Sequence, residues 1–502
     1  MRLKCIKASL LLSAMLCGTA SAATLTIGLG DDPDVLDPAQ SRTYAGRIVY
    51  AALCDKLVDI DTDLNIVPQL ATDWSWSDDG KSLVMNLRQG ATFHDGEAFD
   101  ADAVVYNIER AKTLPESRRK SELASVTSVE ATGPYQVTFS LSAPDVTLLA
   151  QLSDRAGMMV SPAAAESAGA DFGANPVCSG PYKFVQRVQQ DRIVLEKFAE
   201  HWDADAFPLD GVTYLPIPDT TVRLANLRSG QLDMMERVAA SDAAAVRDDP
   251  ELGNATVVGL GYQSIYVNIG NGPRADNPLG DDKRLRQAFS LAIDREALNQ
   301  VVYEGTQIAG NQPFAPGSRY YNEDFPVQPR DIERAKALMQ EAGVSSVDVQ
   351  LQAANVPVTM QQMQVVQAMV AEAGFNVSLQ ATEFTTLLAA QSSGDFQMSR
   401  TDWSGRVDPD GNIHQFVTCQ GGQNDVKYCN EELDRLLNEA RTLPDPAARK
   451  ERYDAAVAIL QDDMPLIYLG NQSYIYAFDT DVTGFTPYPD GLIRLRGVDK
   501  AD

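Results

Sequence analysis

Two successive stretches of the chain repeat one pattern, and that pattern limits the fold more than any other feature. Ile332 to Ala342 has the apolar spacing of a helix, is stopped by Gly343, and leads into the β-prone run Val347 to Leu351. Met360 to Ala373 repeats the helix, is stopped by Gly374, and leads into Phe375 to Leu379. A glycine just past the last turn supplies the left-handed residue that ends a helix. Helix, glycine and strand, twice in a row, predict helices layered on an open sheet. Further strands are expected at Leu25 to Leu29, Lys81 to Leu87, Tyr135 to Leu141 and Gln263 to Ile269. Further helices are expected over Gly46 to Val58, after Asp100, between Asp219 and Gly230, over Arg284 to Ile293, and from Asp294 toward Tyr303. Asp100, Asp219 and Asp294 have the side chain that caps an N-terminus. The fold class is therefore α/β, with mixed sheets because hairpin-like strands occur too.

With 502 residues, the chain has length for about three domains. It carries 42 Lys and Arg against 69 Asp and Glu, a formal charge of −27. That sign opposes nucleic-acid binding, which needs clustered basic groups against phosphate. The first 22 residues are a separate object. Arg2, Lys4 and Lys7 precede a short apolar stretch, Ala8 to Cys17, and Ala20-Ser21-Ala22 has the small-x-small form of a cleavage site. This predicts a secretory signal peptide over residues 1–22, because a membrane anchor needs about 20 apolar residues. Leu16 before Cys17 argues against a lipoprotein. The mature chain is expected to be exported and soluble.

Four cysteines remain after the leader: Cys54, Cys178, Cys419 and Cys429. An even count in an oxidising compartment favours disulfides. Cys419 and Cys429 flank a short polar loop and are expected to pair. Cys54 and Cys178 are left either to pair with each other or to remain buried thiols. The only histidines are His94, His201 and His414, none at ligand spacing from a cysteine, so neither a zinc site nor any other metal or cofactor is expected.

Catalytic signatures are absent from the sequence: no nucleophile elbow, P-loop, zinc-protease helix or dinucleotide fingerprint. Ser117 and Lys120 make an S-x-x-K string without its partner motifs. Asp59, Asp61, Asp63 and Asn65 mimic a calcium loop, but Leu64 stands where the turn glycine belongs and Leu70 where the acidic twelfth ligand belongs. Asp408, Asp410 and Asn412 fail the same test at Cys419.

A set of segments is more specific in combination. They include Leu36-Asp37-Pro38-Ala39, Pro68 to Trp74, Ser77-Asp78-Asp79-Gly80 and Leu87 to Gly96. Ser179-Gly180-Pro181-Tyr182, His201-Trp202, Tyr266-Val267-Asn268, Arg284 to Ala288, Ala292 to Arg295, Glu341-Ala342-Gly343 and Trp403 to Asp410 follow in order. Together they resemble the family 5 extracellular solute-binding proteins of ABC importers, the dipeptide, oligopeptide, nickel and opine binders. Two departures stand out. The family commonly has Glu at the position of Cys54, and Gly-Thr-Gly-Pro-Tyr where Cys178 to Tyr182 stands. Both changes introduce cysteine, and the resemblance places the two sites near the start and end of one inserted lobe, which implies a Cys54–Cys178 bridge.

The resemblance implies a two-lobed clamp. Its first lobe would comprise residues 23–49, 175–264 and 473–502, with an inserted subdomain over 50–174 and a second lobe over 265–472. Chain crossings near Val267 and Tyr474 would form the hinge, and ligand would bind between the lobes. The implied function is a periplasmic carrier, not an enzyme, that captures a short peptide or peptide-like carboxylate-bearing solute and passes it to the membrane permease. It is expected to work as a monomer. The alternatives are a secreted hydrolase acting on peptides or esters, or a chaperone or adhesin-like interaction protein. Candidate ligand contacts are Trp403, Arg406, Asp408 and Asp410 on one Gly/Pro-rich loop, Tyr44 in an early loop, and Arg155, in the segment where nickel-chelate binders supply a carboxylate-binding arginine. An Arg takes a carboxylate bidentately and an Asp takes an ammonium. His94 is read as a turn or core residue.

Overall fold

The structure, a computed structural model, describes residues 23–501. The leader expectation lies outside that range. The repeated helix–glycine–strand units form as the spacing predicts. Helices Ile332–Glu341 and Pro357–Ala371 precede strands Val347–Ala354 and Phe375–Thr382, which pair in parallel over their whole length. Gly343 and Gly374 take φ of 82° and 111°, the left-handed region that ends each helix. Asp100 accepts from the Ala103 amide at 3.0 Å and starts helix Ala101–Thr113. Thr43 caps helix Tyr44–Leu53, two residues ahead of the predicted start.

One large sheet runs through the molecule. Its strand order is Phe375–Thr382, Val347–Ala354, Met398–Trp403, Leu252–Val267, Leu466–Asp479, Met234–Met235, Thr24–Leu29, Gly211–Pro216, Arg192–Lys197 and Tyr182–Val188. Leu252–Val267 and Leu466–Asp479 belong to both halves. Residues 252–258 pair with 479–473, and residues 262–266 pair with 471–466. Between them the register shifts across Gly259-Leu260-Gly261, and neither glycine has room for a side chain: a Cβ on Gly261 would stand 1.9 Å from the Trp403 carbonyl oxygen. The break thus lies beside Tyr474. Val267 is not at a break; it continues an unbroken ladder against Met398.

Separate hydrophobic clusters fill the parts. One joins Leu25, Ile27 and Ile48 to Tyr474, Tyr476 and Leu492. Two others draw on Tyr262 to Leu469. A further cluster, from Leu57 to Met159, packs helix Ala101–Thr113 on an antiparallel sheet of Ala71–Trp76, Ser82–Leu87, Gln136–Leu141 and Val126–Gly133. Two disulfides join Cys54 to Cys178 and Cys419 to Cys429, with Cα separations of 4.9 and 4.5 Å. His94 lies beside the first. Its Nδ1 accepts from the Cys178 amide and its Nε2 faces the Gly180 carbonyl.

Candidate functional site

The halves face each other across a cavity of about 190 Å³. It opens where strands of both halves end. Asp31 follows Thr24–Leu29, and Arg237 follows the parallel strand Met234–Met235. Opposite, Asp402 and Trp403 close strand Met398–Trp403, which runs parallel to Val347–Ala354. Ligands in open α/β sheets bind beyond the carboxyl ends of parallel strands, and here two such edges meet.

The first-half wall is an aromatic and charged stack. The Arg237 guanidinium lies 4.5 Å over the Tyr44 ring, and that ring lies parallel to Tyr474 at 5.7 Å. A cation held over a ring in this way is worth about 0.5–2 kcal/mol. Arg237 adopts φ of 52°, rare for a residue other than glycine, and reaches Asp31 and Glu236 at 3.5 Å each. The Tyr44 hydroxyl donates to the Gly491 carbonyl, which fixes the ring's plane. Arg223 is spent on the carbonyls of Ile217, Pro218 and Arg237 and acts as a brace.

The second-half wall is a polar chain. Arg400 pairs with Asp402 at 2.8 Å and donates from Nε to Gln362 at 2.8 Å. Gln362 donates to Gln263 at 2.7 Å, and Gln263 donates to the Tyr303 hydroxyl at 3.1 Å. Each member fixes the next, so Arg400 is oriented before any ligand arrives. Asp402 Oδ1 is buried and has no hydrogen-bond partner among the described residues, whereas Glu236 Oε2, also without a hydrogen bond, faces Arg237 Nε at 3.5 Å. Burial raises the Asp31 carboxyl above the usual range against the pull of Arg237, and Asp402 adds to the rise. The two aspartates therefore share one field across the cavity, each with an arginine beside it. Spare carboxylate acceptors suit an ammonium, and the flanking guanidiniums suit a carboxylate.

The residues singled out by sequence divide. Tyr44 and Trp403 line the cavity. Trp403 is held by a hydrogen bond from Nε1 to Asn412 at 2.9 Å and an edge contact with Phe416. Arg406, Asp408, Asp410 and Arg155 are absent from the lining. Asp408 forms a double hydrogen bond with Arg449, and Asp410 forms one with Arg441. Asp408 also caps the turn through the Asp410 amide. Their charges are consumed by helices that follow in the chain, which local spacing does not reveal. Arg406 stacks over Trp403 at 4.2 Å but pairs with Asp154 at 2.6 Å behind it. Arg155 is 2% exposed and donates to the Ser41 carbonyl at 2.6 Å. Sequence reasoning missed Asp31, Arg237, Arg400 and Asp402. Available signals were Asp31 just past a strand and the charges of Arg400 and Asp402 inside the otherwise strand-like Met398–Trp403.

Several contacts join the halves around the cavity. Arg42 pairs with Asp425 at 2.7 Å, Arg47 donates to Ser404 at 3.0 Å, and the Val146 amide donates to the Arg441 carbonyl at 2.9 Å. Asp425 sits on the loop closed by Cys419–Cys429.

Residues 65–424 match the family described as bacterial extracellular solute-binding proteins, family 5 Middle. The chain belongs to this family. The glutathione-binding protein of Pectobacterium atrosepticum is 28% identical over 494 residues, covering 95% of this chain and 94% of that protein. A dipeptide-binding protein from Pseudoalteromonas sp. SM9913, solved with Met-Leu, superposes with a TM-score of 0.88 at 23% identity, covering 95% of this chain and all of that one. The binding protein AgaA from A. tumefacien R10, solved with agropinic acid, gives 0.85 at 26% identity, covering 95% and 99%. This family 5 chain is thus a two-lobed substrate-binding protein of an ABC importer, working in the periplasm and delivering its solute to the permease subunits. Among the described residues no helix is long and apolar enough to cross a membrane.

Proposed function

We propose that the solute is a short peptide or peptide-like zwitterion, with its ammonium between Asp31 and Asp402 and a carboxylate at Arg237 and Arg400. The observation that carries this reading is the pair of facing Asp–Arg couples, one from each half, with a buried acceptor left over on Asp402. Tyr44, Trp403 and Tyr474 supply apolar surface between them. A relative that binds glutathione and neighbours solved with a dipeptide and an opine-type acid support the class. The chain is read as a carrier and not an enzyme; turnover of a peptide or ester by the pure protein would overturn that. Residues 23–49, 175–264 and 473–502 are taken as one lobe, 50–174 as its inserted subdomain and 265–472 as the other lobe. Closure then turns on the register break at Gly259–Gly261. Mass spectrometry of ligand released from denatured protein, followed by calorimetric titration, tests the reading. A released or titrated zwitterion with micromolar or tighter affinity is expected; saturable binding only of an uncharged solute would refute it.

A further inference from the structure

The cavity lining is not polar throughout. Val356 and Val358 flank Pro357 at the start of helix Pro357–Ala371, and Phe384 and Leu388 stand one turn apart on helix Phe384–Ser393. Residues at that spacing share a helix face. Both helices pack against strand Val347–Ala354. The first half adds Val238 and Ala240, which follow Arg237 in the chain. Ala240 packs against the hydrophobic cluster that runs from Ile265 to Leu469, as Val358 does, so apolar groups of the two halves come together there. Val356, Val358, Phe384 and Ala240 are half-buried and keep apolar surface turned to the cavity. The cation on that side is spent. Arg42 reaches helix Phe384–Ser393 at the Leu388 carbonyl, 3.3 Å, and at Ser392, 2.7 Å, and its charge is met by Asp425 at 2.7 Å.

We infer that the solute carries an apolar side chain, an alkyl or aryl group, which packs among Phe384, Leu388, Val356 and Val358 of one half and Val238 and Ala240 of the other. The inference rests on the zwitterion reading and adds to it the part that selects. Every short peptide offers an ammonium and a carboxylate, so the Asp–Arg couples hold the class without sorting its members. Sorting falls to the side chain. An apolar group removes water from the half-wet apolar surface and gains in proportion to the area covered. A charged or amide side chain in the same place gives up its hydration and meets no free partner among these residues. Closure of the clamp covers the group from both halves at once. A solute that is polar along its length, as glutathione is, fits this lining poorly.

The test titrates the mature protein calorimetrically with four zwitterions: Leu-Leu, Gly-Gly, Glu-Glu and glutathione. Leu-Leu is expected to bind about tenfold or more tighter than each of the other three. Phe384→Ser should cut the ratio of Leu-Leu to Gly-Gly affinity by about tenfold, with the melting curve of the probe-free variant checking its fold. The ranking in the parent protein decides the matter even if that variant fails to fold. Equal affinities, or Glu-Glu or glutathione bound as tightly as Leu-Leu, would overturn the apolar pocket and leave the zwitterion reading standing. Binding of none of the four would overturn both. The solute released from denatured protein gives a second readout, and a zwitterion without an alkyl or aryl side chain would again overturn this inference alone.

Discussion

Asp402 carries more of the recognition argument than any other single side chain. One of its oxygens is held by Arg400 and the other is buried without a partner, so it offers an acceptor whose desolvation has already been met by folding. Asp402→Asn keeps the shape and removes the charge. We expect it to weaken the identified solute by about 2–5 kcal/mol, a loss seen mainly as faster dissociation. Arg237→Ala should cost a similar amount by calorimetry, because it removes both a cation and the face that covers Tyr44. Unchanged affinity in both variants would end the zwitterion assignment. Two histidines give a pH signature at the same scale. Burial lowers His94 and His414 from 6.5 to about 4 in the folded chain. Between those values the unfolded chain takes up protons that the folded one refuses. Stability is therefore full above about pH 6.5 and falls as pH drops toward 4, with a slope up to about 1.4 kcal/mol per pH unit for each histidine. Melting at pH 7, 6 and 5 should decline stepwise, and a flat profile would contradict the neutral burial of both rings. At this scale the sequence was least legible. Trp403 could be placed on the cavity because its segment resembles one that family members use for ligand, and Tyr44, the other aromatic singled out, lines it too. Asp408 and Asp410 could not be discounted, because their partners Arg449 and Arg441 lie on helices 31 or more positions away.

The elements were far more legible, because their signals are local. A cap aspartate, an apolar period and a terminal glycine lie within one window, and helices after Asp100, Asp219, Asp294 and before Gly343 formed accordingly. The crossing strands were only half legible. The β-prone run was visible, but the bulge at Gly259–Gly261 depends on Trp403 and Tyr474 from distant parts of the chain. Gly261→Val should destabilise the fold strongly, since the new Cβ meets backbone and not a movable side chain. We expect poor expression or a Tm lower by 5 °C or more, on the order of several kcal/mol; a melting point equal to the parent would disprove the close approach. The loop between Cys419 and Cys429 gives a milder test. Replacing both by Ser should reduce stability by about 2–3 kcal/mol for a loop of this length. It should also raise the solute's dissociation rate, because Asp425 on that loop holds Arg42 across the cavity. Destabilisation with no kinetic change would confine the loop to a structural role.

At the scale of the molecule, the two halves meet through the paired strands and through side-chain contacts such as Arg42–Asp425. A compact chain of this size has a radius of gyration of about 23 Å. Small-angle scattering of solute-free protein should give a larger value that contracts on adding the identified solute, as the less populated closed form is selected. A hundredfold excess over Kd should raise stability by about 2.7 kcal/mol in the same samples. A clear melting shift at constant radius would leave the solute bound in a preformed pocket and remove closure from the mechanism. The shared sheet has one more consequence. Thr24–Leu29 opens the described chain, yet its cluster is completed by Tyr474, Tyr476 and Leu492. The part built first therefore has no finished core until almost the last residue has appeared. A chain cut before Tyr474 is therefore expected to lose the cooperative melt of this half by calorimetry, and an unchanged transition would contradict that dependence.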